Sequence, residues 1–141
     1  MDAHGPRRID YERWLAYVAG YIDGEGCVRF SSTPIVEVQN TYPDTLVELR
    51  RTFGGHIRRR LSRKEHARTT FTWTVHGHNA RHCLVSVKPF LIEKRRQAEL
   101  VLMVGQFPPR SEQRQSLLDE LRQLKRIDHG PVTRGYSGTA G

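Results

Sequence analysis

Between Tyr11 and Asp23 the apolar residues Leu15, Val18, Ala19 and Ile22 recur three and four apart, the spacing that keeps them on one side of a helix. The period then changes. Cys27–Ser32 alternates, with Val28 and Phe30 on one face and Arg29 and Ser31 on the other, and Ile35–Asn40 does the same, with Val36 and Val38 opposite Glu37 and Gln39. A turn at Ser32-Thr-Pro34 joins these two strands into a short hairpin. Tyr42–Phe53 returns to helical spacing through Leu46, Leu49 and Phe53, and Gly54-Gly55 stops it. A second pair of strands follows. His56–Ser62 sets Ile57 and Leu61 against Arg58 and Arg60, and Thr69–Val75 sets Phe71, Trp73 and Val75 against Thr70, Thr72 and Thr74, with a polar loop, Arg63–Arg68, between them. The rest reads as helices over Asn79–Val87, Glu93–Gln106 and Ser111–Ile127, punctuated by Pro89 and Pro108-Pro109. Leu117-Leu118, Leu121 and Leu124 make the last of these a core-packing stripe.

The predicted order is therefore α-β-β-α-β-β-α-α-α, an α+β domain over residues 11–128. One four-stranded antiparallel sheet carries helices on its apolar face. Residues 1–10 form a flexible lead and 129–141 a disordered, small-residue tail. Asp10 is placed as the cap of the first helix, with Ile9 and Trp14 spaced as a hydrophobic staple.

The first helix has a second feature. Ala16, Gly20 and Gly24 stand four apart, so one face carries nothing larger than a methyl group. Glycine inside a helix costs about 1 kcal/mol relative to alanine, and the use of such a stripe is close approach of another backbone. The helix runs into Asp23-Gly-Glu25-Gly, where two acids meet the negative end of the helix dipole and call for a cation.

Composition narrows the partners. The chain has 141 residues and a formal net charge of +8, and arginine supplies 19 of its 23 basic residues. A planar fork suits phosphate and guanine edges better than an ammonium does. No apolar run is long enough to span a membrane, and the N-terminal residues lack the pattern of a signal peptide. Cys27 and Cys83 lie in apolar-patterned segments without metal-binding or disulfide spacing, and are expected to be reduced core residues of an intracellular, non-secreted protein. His76-Gly-His78 with His82-Cys83 has residue types that suit zinc. That cluster falls at a strand-to-helix junction and Cys83 continues an apolar pattern, so it is read as structural. The outward sheet face offers Arg29, Ser31, Glu37, Gln39, Arg58, Arg60, Thr70, Thr72 and Thr74. Forks, amides and hydroxyls together can read base edges in a major groove, with phosphate positioning from loops such as Arg63-Lys64. An ordinary solvated sheet face favours the same residues, and pattern alone does not separate the two. Arg114, Arg122 and Arg126 on the last helix are either a solvated face or added backbone contacts.

Val18-Ala-Gly-Tyr-Ile-Asp-Gly-Glu-Gly26 resembles the LAGLIDADG motif of homing endonucleases, with Glu25 as its final acid. Gly55-His-Ile-Arg-Arg-Arg60 is similar to the third-strand segment of the single-motif group, and Pro89-Phe-Leu-Ile-Glu-Lys-Arg-Arg-Gln-Ala-Glu-Leu-Val-Leu102 to the segment bearing its active-site lysine. The resemblance covers Tyr11 to Pro108. It implies the αββαββα fold with a saddle-shaped sheet on double-stranded DNA, and a homodimer joined through Ala16, Gly20, Asp23 and Gly24. The implied activity is site-specific cleavage at a pseudo-palindromic, intron-insertion site, leaving 3′ overhangs. Glu25 and the Gly24 carbonyl would hold Mg²⁺, with Mn²⁺ as a substitute, and Lys94 and Asn40 would complete the catalytic set. Two positions depart from the family pattern: Asn40 stands where glutamine is common, and Asp44 where some members carry a basic residue. Arg51 or an arginine from a loop is the replacement to look for. The alternative function is an intron RNA maturase or a non-cleaving DNA-binding regulator of the same fold.

Overall fold

The computed structural model describes residues 8–61 and 68–129. The N-terminal lead up to residue 7, the Arg63-Lys64 loop, the tail from residue 130 and the Ile9 side chain of the proposed staple lie outside the described residues. The elements are α1 (Arg8–Glu25), β1 (Gly26–Ser31), β2 (Thr33–Asn40), α2 (Asp44–Phe53), β3 (His56–Arg60), β4 (Thr70–His76), α3 (Gly77–Val87), a 3₁₀ turn at Lys88–Phe90, α4 (Arg95–Val104) and α5 (Glu112–His129). The predicted α+β order of elements holds.

Four strands form one antiparallel sheet in the order β1-β2-β4-β3. Val28, Val36, Val38, Trp73 and Val75 close on one face against Val18, Ala19 and Ile22 of α1, Leu46 and Leu49 of α2, Leu84 of α3 and Leu100 of α4, all fully buried or nearly so. Burial of such side chains, at roughly 1.5–3 kcal/mol each, is what holds α1 across the sheet. Leu121 of α5 joins this core with Leu117 and Leu124 partly buried behind it, as the leucine stripe predicts.

Two glycines are required by close approach. A Cβ on Gly26 would stand 3.0 Å from the Ile22 backbone, where the chain turns from α1 into β1. Gly55 has a φ of +88°, and a Cβ there would meet the Thr74 carbonyl oxygen at 2.5 Å. A side chain at either position would push helix or strand off the sheet.

Four sequence expectations are corrected. Asp10 is not a cap, because α1 starts at Arg8 and Asp10 lies in its first turn, where an acid still suits the dipole. The helix ends at Glu25 rather than Asp23. β3 ends at Arg60, and Leu61 is 64% exposed instead of facing the core. Cys27 is not a core residue: it pairs with Glu37 in register, on the hydrophilic face, and only Cys83 is buried. Arg59, not Leu61, shares the Ile57 side of β3, and it is exposed because β3 is an edge strand.

Candidate nucleic-acid interface and active site

The register assembles the outward face in rows. Arg58, Thr72 and Gln39 stand side by side, as do His56, Thr74, Glu37 and Cys27, then His76, Ile35 and Arg29. Arg60 and Thr70 close the end next to Asn40, and Ser31 with Thr33 closes the hairpin end. All nine residues expected on this face are therefore brought together. Glu37 organises the middle of it. Its carboxylate accepts a hydrogen bond from the Thr74 hydroxyl at 3.0 Å and lies 3.6 Å from the Arg29 guanidinium, linking β1, β2 and β4. His56 and His76 also belong to the face. They lie two residues before Arg58 and two after Thr74, so simple alternation carries the signal that finds them.

Asp23 and Lys94 meet at the C-terminal end of α1, two residues before Glu25. The Asp23 carboxylate accepts the backbone N–H groups of Ile92 at 2.8 Å and Lys94 at 3.0 Å, which places it at the N-terminal end of α4. The Lys94 ammonium donates to the Asp23 carbonyl oxygen at 2.7 Å. An acid thus faces the positive end of α4 and a base faces the negative end of α1, each matched to the dipole it meets. Asp23 is expected to tie the helix end to a partner; within the chain its carboxylate ties α1 to the start of α4. Glu25 is the last residue of α1, exposed, with no hydrogen bond or ion pair among the described residues.

Asn40 donates to the Tyr21 hydroxyl at 2.6 Å and accepts from the Tyr42 backbone N–H at 3.2 Å. Tyr21 stands one turn before Glu25. Burial raises its phenol above the ordinary range, with the Glu25 charge adding to the rise and the Asn40 hydrogen bond opposing it. Arg68 extends this chain of contacts, donating to the Tyr42 hydroxyl at 3.3 Å with its guanidinium 5.9 Å from the ring centre. A loop arginine therefore reaches the end of the sheet where β1 leaves Glu25. Arg51 does not: it pairs with Glu48 on the exposed side of α2. Asp44 opens α2 and lines a cleft with Asp10, Arg13, Trp14 and Tyr17.

Ala16, Gly20 and Gly24 are all exposed, and a Cβ on Gly20 or Gly24 would meet nothing within 4 Å. Trp14, Tyr17 and Tyr21 stack along the neighbouring side of the helix. The histidine–cysteine cluster is dispersed by the fold, with His76 on the sheet face, Cys83 in the core and His82 against Phe53. Among the described residues no group of three or more His, Cys, Asp or Glu is placed to hold a metal ion. On α5, Arg114 lies over the Phe30 ring and donates to the Phe107 carbonyl, while Arg122 pairs with Asp119 and Arg126 is exposed.

No family model matches the sequence, and no curated protein does. Solved structures do. The homing endonuclease I-CvuI, in complex with its target in the presence of Ca, superposes with a TM-score of 0.62 at 21% identity, covering 80% of this chain and 82% of that one. A second I-CvuI complex, on the I-CreI target with Mg, gives 0.62 at 22% identity over 81% and 83%. The archaeal intron-encoded homing endonuclease I-Vdi141I, complexed with DNA, gives 0.60 at 16% identity over 81% and 85%. The chain has the LAGLIDADG homing-endonuclease fold. In that fold the motif helix is α1, the four-stranded sheet carries the hydrophilic face, and Glu25 sits where the two join. No helix among the described residues is long and apolar enough to cross a membrane.

Proposed function

We propose that the protein is a metal-dependent, site-specific DNA endonuclease acting as a homodimer. The observation that carries this reading is Glu25. An exposed carboxylate with no hydrogen bond or ion pair among the described residues stands at the end of a helix whose Ala16-Gly20-Gly24 side is bare, beside a sheet face rich in arginine, threonine and amide groups. An acid kept against a phosphate backbone serves no purpose in pure binding. The structural neighbours, which are homing endonucleases in complex with DNA, support the reading.

The residues fit a hard divalent cation. Magnesium prefers oxygen ligands and is held by one or two carboxylates together with substrate phosphates. Glu25 and the Gly24 carbonyl, one of the unpaired carbonyls at the end of a helix, would hold Mg²⁺ or Mn²⁺. Bound there, the ion supplies activation of water and stabilisation of charge on the leaving oxygen. The chain's own residues supply placement. Asp23 and Lys94 lock the end of α1 to α4, so Glu25 projects from a rigid corner. Lys94 brings positive charge to within two residues of it. Asn40 holds Tyr21, and Arg68, resting on Tyr42, is the loop arginine available to supply the basic group that Asp44 does not.

A second copy packed on the bare face of α1 places a second Glu25 beside the first. Two such groups, related by a two-fold axis, suit the two strands of a pseudo-palindromic duplex, and cutting both strands would leave the 3′ overhangs implied by the resemblance. The matching test uses a duplex recovered from a randomised pool by binding to the protein in EDTA, then incubated with Mg²⁺. Wild type should linearise a plasmid carrying it. Glu25→Gln should lose at least about 100-fold in cutting rate, the scale for removing a group that acts in the transition state, and keep its affinity. Tight binding without cutting by wild type would favour a maturase or a regulator instead.

A further inference from the structure

His56 opens β3 and His76 ends β4, and the register brings them together on the hydrophilic face. Their ring centres are 6.3 Å apart, the planes inclined at 71°. Both are exposed, and neither has a hydrogen bond or ion pair among the described residues. The charged groups facing them are Arg58 from β3, Arg29 from β1 and Glu37 from β2. Glu37 is already engaged by Thr74 and Arg29, so the pair looks onto two arginines and a neutralised acid.

We propose that His56 and His76 form a proton-coupled reading element, recognising the N7 and O6 edge of a purine and making DNA affinity rise as pH falls. The proposal rests on the reading that this face lies in a DNA groove. Imidazole is the side chain that takes up a proton between pH 5 and 8. In the complex a proton on either ring is favoured by phosphates and by purine acceptors, which a charged imidazole can address with an N–H. Whatever binds the protonated form better must draw in protons on binding, so affinity increases toward low pH. Each proton taken up on binding gives at most about a tenfold change in affinity per pH unit.

The test is fluorescence anisotropy of a duplex selected from a randomised pool, titrated with the full chain in EDTA from pH 8 to pH 5.5 at fixed ionic strength. Wild type should tighten several-fold over this range. The double variant His56→Asn, His76→Asn, with unchanged circular dichroism, should lose that dependence. His78→Asn, on α3 and off the sheet face, should keep it. Repeating the selection at pH 6 and pH 8 should change the preferred base at one position in each half-site. Affinity independent of pH in wild type, or an unchanged dependence in the double variant, overturns the proposal and leaves the DNA-binding reading intact. Failure of wild type to bind any duplex at low salt overturns both.

Discussion

Replacing Asp23 by alanine removes the acceptor that fastens the end of α1 to the turn before α4. Two charge-assisted hydrogen bonds are lost, to the N–H groups of Ile92 and Lys94, each worth about 1.5–3 kcal/mol. The Ile92 bond is exposed, so water restores most of it, while the Lys94 bond is half-buried and its loss is felt nearly in full. The acid leaves the C-terminal end of α1, which it opposes, and the N-terminal end of α4, which it favours, so two dipole effects of about 0.3–1 kcal/mol and opposite sign nearly cancel. The net destabilisation is about 2–3 kcal/mol. At about 3–4 °C per kcal/mol for a chain of this size, the melting temperature should fall by about 6–12 °C. The measurement is thermal unfolding by circular dichroism at one fixed protein concentration, because the melting temperature of the proposed dimer would depend on it. Asp23→Asn, which keeps one acceptor oxygen, should fall between wild type and alanine. Both variants should also cut more slowly, since the backbone that carries Lys94 loses its anchor. A fall of less than about 2 °C with unchanged cutting would refute the claim that Asp23 locks the corner from which Glu25 projects.

Other outcomes follow from the same geometry. Gly20→Leu meets nothing within its own chain and replaces a poor helix former by a good one, so it should leave a folded monomer; sedimentation showing an intact dimer would remove the bare face of α1 from the interface. Arg58→Ala should cost about 1–3 kcal/mol of discrimination at one base pair, whereas a uniform loss with a shallower salt dependence would make Arg58 a phosphate contact. Burial pushes the Cys83 thiol up to about 12, so near pH 8 a thiol reagent should label Cys27 and reach Cys83 only on unfolding. Because the neutral form is the one the fold favours, the Cys83 contribution to stability is complete below its unfolded-state value and is lost as pH rises toward 12; alkaline unfolding that is the same in Cys83→Ala would count against this.

The alternation of apolar and polar residues is a local property, and it was enough to place four strands, to sort Arg29 from Val28 or Thr72 from Trp73, and to predict an α+β sheet with a hydrophilic face. The spacing of Ala16, Gly20 and Gly24 likewise marked a bare helix side within nine residues of chain. Element ends were read less well. Whether Leu61 or Arg60 ends β3 depends on where β4 stops pairing, and whether Asp10 caps α1 depends on backbone angles that no side-chain pattern encodes.

Contacts between residues far apart in the chain emerge only once the elements pack. Asp23 meets Lys94 across 71 positions, Asn40 meets Tyr21 across 19, and Arg68 meets Tyr42 across 26. Each depends on how α1, the sheet and α4 pack, and packing is set by the sum of many buried side chains rather than by any one segment. Periodicity reports which side of an element is apolar; it says nothing of which other element covers it. For that reason the sequence alone named Glu25 and Lys94 as chemistry, and only the fold showed how one holds still the helix end from which the other reaches out.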